Sequence, residues 1–220
     1  MNSRDEILNR LRSSSEAKPA TERSDWKDKT IFSDYPRTAG ELLSEFRRHI
    51  EILAGELHVF ESMANLAEAI PHLLHETDPE KCRSHHHPLI EAAKSANPTA
   101  GSYLKYIDNQ EIDSVTFADI EVGITGAEYL VARTGSIMLR AISAGGRRLS
   151  VLPPTHVVIA TSACLVYSLD EVLKNLNKEK QDWSYATFIT GPSRTSDIEK
   201  QLVLGAHGPK RLIILLLQTD

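Results

Sequence analysis

Residues 212–217 read Leu-Ile-Ile-Leu-Leu-Leu, apolar at every position. A run of this length falls far short of the roughly 20 residues that span a bilayer. It also lacks the alternation that would leave one face in water. Such a segment fits a strand buried on both faces, in a sheet covered by helices on each side. Strand-like stretches recur at 57–60, 115–122, 137–142, 157–160 and 186–190, with helix-like spacing between several of them. Strands alternating with helices imply an α/β fold: a three-layer sandwich with a mainly parallel sheet.

Local signals set the boundaries. Ser3 with Glu6 is a capping box ahead of a narrow stripe, Ile7, Leu8 and Leu11, that closes in serines 13–15. Residues 16–37 are polar, carry prolines at 19 and 36 and show no period, as in a linker or an arm lying on another surface. Residues 1–37 are therefore an N-terminal helix and arm, the helix being suited to docking on a second copy in a homo-oligomer. The main domain is 38–220. It opens with a Thr38–Glu41 capping box and a helix through Leu42, Leu43, Phe46, Ile50 and Leu53, stopped at Gly55. Ser62 starts a further helix through Met63, Leu66, Ala67 and Ile70, with Pro71 as a break or kink.

Composition excludes several classes. The 220 residues carry a net charge of −5, which gives no reason to expect nucleic acid. No apolar signal core and no stretch of membrane-spanning length is present, and the two cysteines, Cys82 and Cys164, suit a reducing compartment. A cytoplasmic location is expected. Two thiols are too few for an all-cysteine iron–sulfur site. His85, His86 and His87 lie near Cys82, His72 and His75 in sequence, but the spacing fits no zinc pattern and consecutive histidines cannot all face one ion. With Lys81, Arg83 and Pro88 they read as an exposed loop; no metal site is assigned, and their role stays open.

The chemistry concentrates in turns. Residues 123–128, Gly-Ile-Thr-Gly-Ala-Glu, read as a turn after strand 115–122, leading into a short helical stretch. Thr134-Gly135-Ser136 is a second tight turn, residues 145–148 a loop, and Pro153-Pro154 a third turn before His156. Gly191-Pro192 ends strand 186–190, and a helix is expected to start over Ser193–Ser196, with Ser196 and Glu199 as its capping box. Arg194 would then stand at a helix mouth, where unpaired N–H groups favour an anion. Gly191, Ser193, Arg194, Thr195 and Ser196, walled by Gly135 and Ser136, form the candidate site for a small anionic ligand. The Walker lysine and the dinucleotide glycines are missing. The plain alternative is that Gly191-Pro192 is only a turn and Ser196 only a cap. His156, His207 and Glu128 are the candidate proton-transfer or nucleophilic groups. His207 could equally be a turn residue capping a carbonyl, and Glu128 a charge on a helix face.

Four segments together, GITGAEYLVARTGS at 123–136, LPPTH at 152–156, ITGPSRTSDIEKQLVLGAHGP at 189–209 and the apolar strand after it, resemble the LUD-domain family. The resemblance implies a NagB/RpiA/CoA-transferase-like fold. It also implies a role in bacterial oxidation of L-lactate to pyruvate beside two partner subunits that carry iron–sulfur clusters. This chain would be the subunit without clusters, with no cofactor of its own, acting as a component of a complex and not as a stand-alone enzyme. CoA-transferases of the broad fold use a glutamate nucleophile, but the surroundings of Glu128 do not match their motif. The alternative function is a small-molecule enzyme acting on a phosphorylated or CoA-linked substrate.

Overall fold

In the computed structural model the described residues are 38–107, 117–140, 146–178, 185–195, 203–204 and 208–219, with Arg4, Glu6, Ile7, Asn9 and Arg10 before them. The chain divides into Met1–Tyr35 and Pro36–Asp220. In the first unit those five residues are helical, as the Ser3–Glu6 pattern predicts; Leu8, Leu11 and the arm lie outside the described residues.

The second unit opens with helix α1, Ala39–Ile52, where Thr38 Oγ1 accepts from the Glu41 N–H and Glu41 Oε2 accepts from the Thr38 N–H. At the other end the left-handed position is taken by Ala54, φ +62°, and not by Gly55. The Ala54 N–H donates to Glu51 O and the Gly55 N–H to Ile50 O, which is the paired bonding of a Schellman cap. Gly55 is small for another reason: an added Cβ would lie 2.7 Å from Ile50 Cγ1.

Strand β1 (Glu56–Phe60) leads to α2 (Met63–Leu73), capped by Ser62 and continuing two residues past Pro71. Then follow β2 (Cys82–Ser84), α3 (Pro88–Ala96), α4 (Pro98–Tyr103) and β3 (Val122–Gly126). A hairpin, β4 (Tyr129–Val131) and β5 (Ser136–Arg140), precedes a helical turn at Gly146–Leu149. After β6 (Thr155–Thr161) come β7 (Leu165–Val166), α5 (Leu169–Lys178) and β8 (Ala186–Ile189). The short pair β9 (Arg194–Thr195) and β10 (Val203–Leu204) precedes β11 (Arg211–Leu217).

The main sheet runs β1-β11-β6-β3-β2, parallel throughout. β11 sits inside it, and its side chains divide by alternation. Ile213 and Leu215 join the core under α2, α3 and α4, with Leu66, Ile70, Ile90 and Leu104. Leu212, Ile214 and Leu216 join the opposite core. That second face is covered differently from the expectation. Helix α1 supplies Phe46 and Ile50, but the rest of the cover is a second sheet, β7-β4-β5-β8, through Leu130, Ile137 and Leu139. The outer face of this sheet is closed by Val172 and Leu176 of α5 against Val131 and Met138. The architecture remains an α/β sandwich on a mainly parallel sheet.

Four expectations shift. The strand predicted over 115–122 begins only at Val122, Phe117 and Ala118 being helical, and the turn predicted over 123–128 is strand as far as Gly126, the last residue of β3. The glycines serve close approach and not chain reversal. An added Cβ at Gly123 would fall within bonding range of the Leu149 carbonyl oxygen, and one at Gly126 would enter the His87 ring. Glu128 accordingly leads into β4, not a helix, and the predicted 145–148 loop contains the helical turn Gly146–Leu149.

This packing yields a matched test. Gly123→Ala should destabilise the protein by about 1–3 kcal/mol or more, because a backbone carbonyl cannot swing away. Gly40→Ala, in α1 with nothing within 4 Å of an added Cβ, should be neutral or stabilise by up to about 1 kcal/mol. Urea denaturation of both variants measures the contrast, and equal stability would refute the close contact.

Candidate functional site

The Gly191 turn does not form the predicted helix mouth over the described residues. Arg194 and Thr195 are extended and pair antiparallel with Leu204 and Val203. The Ser193 N–H, expected to face an anion, donates to the Pro209 carbonyl at 2.9 Å. Gly191 has φ +79°, with the space a Cβ would need taken by Leu53, the C-cap of α1. Pairing with the 203–204 segment and packing against Leu53 hold the chain extended as far as Thr195. Ser196, Glu199 and His207 lie outside the described residues, as does the Thr195 side chain. Arg194 is exposed, and its side chain makes no hydrogen bond or ion pair among the described residues.

Gly135 and Ser136 are likewise held in structure. Gly135, φ +62°, turns the β4–β5 hairpin against the His49 backbone. Ser136 Oγ bonds Thr134 Oγ1 at 2.7 Å and Thr190 Oγ1 at 2.8 Å, tying the hairpin to the end of β8. His49 Nε2 meets Arg48 Nη2 at 2.8 Å, which leaves Nδ1 to donate to Ala132 O at 2.9 Å.

The proline turn lies at the opposite end of the sheet from the Gly126 end of β3. Pro153-Pro154 precedes β6, and the Lys210 and Arg211 N–H groups donate to Pro154 O just before β11. These contacts gather the proline turn and the Ser193–Pro209 link at the amino ends of the parallel strands.

The carboxyl ends carry a different cluster, centred on Gly126 at the end of β3. The Gly126 N–H donates to His85 Nε2 at 2.9 Å. His87 caps α3 by accepting the Leu89 N–H at Nδ1, 3.3 Å away, with Pro88 as the first helical residue. The His85 and His87 rings stack with centroids 5.9 Å apart. Two residues on, Glu128 pairs with Arg140 at 2.7 Å, the arginine side chain being 8% exposed and the glutamate 22%. His86 faces away and stacks on Tyr106, whose hydroxyl bonds Glu91 and whose ring lies under Lys94.

Behind this cluster His156 is fully buried. Its Nε2 is 2.8 Å from Thr125 Oγ1, and Nδ1 has no partner among the described residues. Burial, with a smaller push from His85, drives its pKa down to about 3. Burial also lowers His85 to about 4, helped by the neighbouring His87 and His86. His87 is lowered by burial and pulled back up by the Glu128 charge, so the two groups lie within electrostatic reach. All three imidazoles are neutral at pH 7. Among the described residues no three His, Cys, Asp or Glu are placed to hold a metal ion.

Sequence reasoning picked out Glu128 and His156 but read His85 and His87 as loop and passed over Arg140. The available signal was Pro88, which marks His87 as a helix cap. No local pattern announces that Arg140, at the end of an apolar run, meets Glu128 across the hairpin.

A mainly parallel sheet covered by helices on one face and backed by a second sheet on the other defines an α/β sandwich. The chain belongs to the LUD domain family, whose profile matches residues 43–217. Lactate utilization protein C of Halalkalibacterium halodurans is 33% identical over 102 residues, 44% of this chain and 44% of that protein. Lactate utilization protein C of Bacillus subtilis is 34% identical over 99 residues, 43% of this chain and 41% of that protein. The matched part is thus less than half the length of these curated relatives. The crystal structure of a DUF162 family protein from Deinococcus radiodurans shares the fold, with a TM-score of 0.58 at 19% identity, covering 83% of this chain and 99% of that one. Among the described residues no helix is long and apolar enough to cross a membrane.

The depressed histidines set a pH dependence. Unfolded, each titrates near 6.5; folded, His85 and His156 titrate near 4 and 3. Between these values the unfolded chain binds more protons, so stability is full above pH 6.5 and falls as pH drops. From pH 7.5 to 5 the loss should be on the order of 2–4 kcal/mol, at about 1.4 kcal/mol per pH unit for each histidine. Urea midpoints at the two pH values measure it, and His85→Gln should remove about half of the difference.

Proposed function

We propose that this chain acts in the oxidation of L-lactate to pyruvate as the component without an iron–sulfur cluster, beside partner subunits that carry clusters. The observation that carries the reading is the LUD domain match over 43–217, together with relatives named for lactate utilisation. The placement of the thiols supports it. Cys82 lies in the core on one face of the main sheet, its thiol pushed up to about 12 by burial, whereas Cys164 packs against the core on the other face. Two such thiols cannot meet at one cluster within a chain.

Deletion of the gene in a strain without other lactate dehydrogenases should abolish growth on L-lactate. A tagged chain from lactate-grown cells should bring down iron–sulfur proteins, while the chain purified alone under anaerobic conditions should lack stoichiometric iron and sulfide. Unimpaired growth with no captured partner would overturn the proposal.

A second reading, an enzyme for a phosphorylated or CoA-linked substrate, is favoured by one observation: the exposed Arg194 with no partner among the described residues. On this reading phosphate or CoA raises the melting temperature of the wild type, and Arg194→Ala removes the rise without lowering the unliganded melting temperature. A guanidinium contact to an anion is worth about 1.5–3 kcal/mol. Melts that do not respond to either anion would eliminate this reading.

A further inference from the structure

Two backbone N–H groups fix the histidine tautomers at the end of β3. Gly126 donates to His85 Nε2, so in the neutral ring the proton sits on Nδ1. Leu89 donates to His87 Nδ1, so that ring carries its proton on Nε2. Each imidazole is left with one N–H, and neither N–H has a partner among the described residues. The rings stack on one another, both touch Gly126, and both are partly exposed. Beside them the Glu128 carboxylate bonds one guanidinium nitrogen of the mostly buried Arg140 and keeps free acceptor capacity.

We propose that His85 and His87 are paired N–H donors for the carboxylate of a small 2-hydroxy acid, with Glu128, held by Arg140, accepting the hydrogen bond of its hydroxyl. This assignment rests on the lactate reading above and adds that this chain itself binds the substrate. The hydrogen-bonding groups select the ligand class. Arg140 and Glu128 offset each other and the histidines are neutral, so a ligand's charge is met by N–H donors and not by a counter-ion, which suits the single charge of a carboxylate better than the two of a phosphate monoester. The hydroxyl requirement comes from Glu128, which repels a bare acid but is satisfied by a donor placed next to the carboxylate. The N–H pair also explains why Gly126 has no side chain: a Cβ there would displace the His87 ring. Helix α3 needs His87 only as a cap acceptor, a task asparagine performs as well.

Isothermal titration of the purified chain at pH 7.5 with L-lactate and with propanoate tests this directly. Two variants preserve the backbone bonds while displacing the donors, because a carboxamide keeps its own NH2 in a different position from the ring N–H. His87→Asn keeps a cap for α3, and His85→Gln keeps an acceptor for the Gly126 N–H. Each should weaken L-lactate binding about 3- to 10-fold, as for loss of one hydrogen bond, with melting temperature nearly unchanged. Propanoate, which lacks the hydroxyl, should bind at least several-fold more weakly than L-lactate. No L-lactate binding by the folded wild type, binding indifferent to both variants, or equal binding of propanoate would overturn the assignment. The failures are separable. Absent binding with growth on lactate still dependent on the gene removes only this site, whereas binding with growth independent of the gene removes the cellular role.

Discussion

Everything in this molecule is arranged around the burial of β11 on both faces. Five successive residues, Leu212 to Leu216, are all buried, and alternation sends them in turn to two separate cores. Each fully buried Leu or Ile contributes about 1.5–3 kcal/mol, so neither face can be left open. One side is met by three helices. The other is met by α1 and a four-stranded sheet, which must itself be sealed by α5 on its far face. The layer order follows from that single demand.

Close approach by glycine converts this packing into a site. At Gly126 the absent side chain lets the His87 ring lie on the strand end, while the same residue's N–H holds His85. Parallel pairing of β2 with β3 brings His85 to this level, because Ser84 registers with Ile124. Hairpin β4–β5 then returns Arg140 to Glu128. Segments far apart in sequence are thereby brought together at one strand end, His85 and His87 on one side and the Glu128–Arg140 pair on the other. The low proton affinity of His85, His87 and His156 follows from the same burial that stabilises the sheet.

Much of the architecture was legible in the sequence because it depends on local patterns. Capping residues Thr38, Ser62 and Glu41 act within one turn of their helices, and the periodicity of Phe46 and Ile50 is a property of α1 alone. The apolar run of β11 and the Thr134-Gly135-Ser136 turn were likewise readable in place. The Gly123–Gly126 segment was not, since a glycine required by a contacting carbonyl looks identical in sequence to one required by a turn. The pairing of Arg194 with Leu204 and the Ser193 bond to Pro209 were not legible either, because those partners lie outside any local window.

The sequence by itself determined the fold class, the helix caps, the double-sided central strand and the pair Glu128 and His156 as residues of chemical interest. These rest on hydrophobic period and on hydrogen bonds between neighbours. Only the tertiary structure decided that His85 and His87 share one strand end, that Arg140 neutralises Glu128, and that Ser193 gives its N–H to Pro209. Those outcomes depend on strand register and on which backbone groups remain unpaired once the sheets have packed, and neither is encoded within a single stretch of chain.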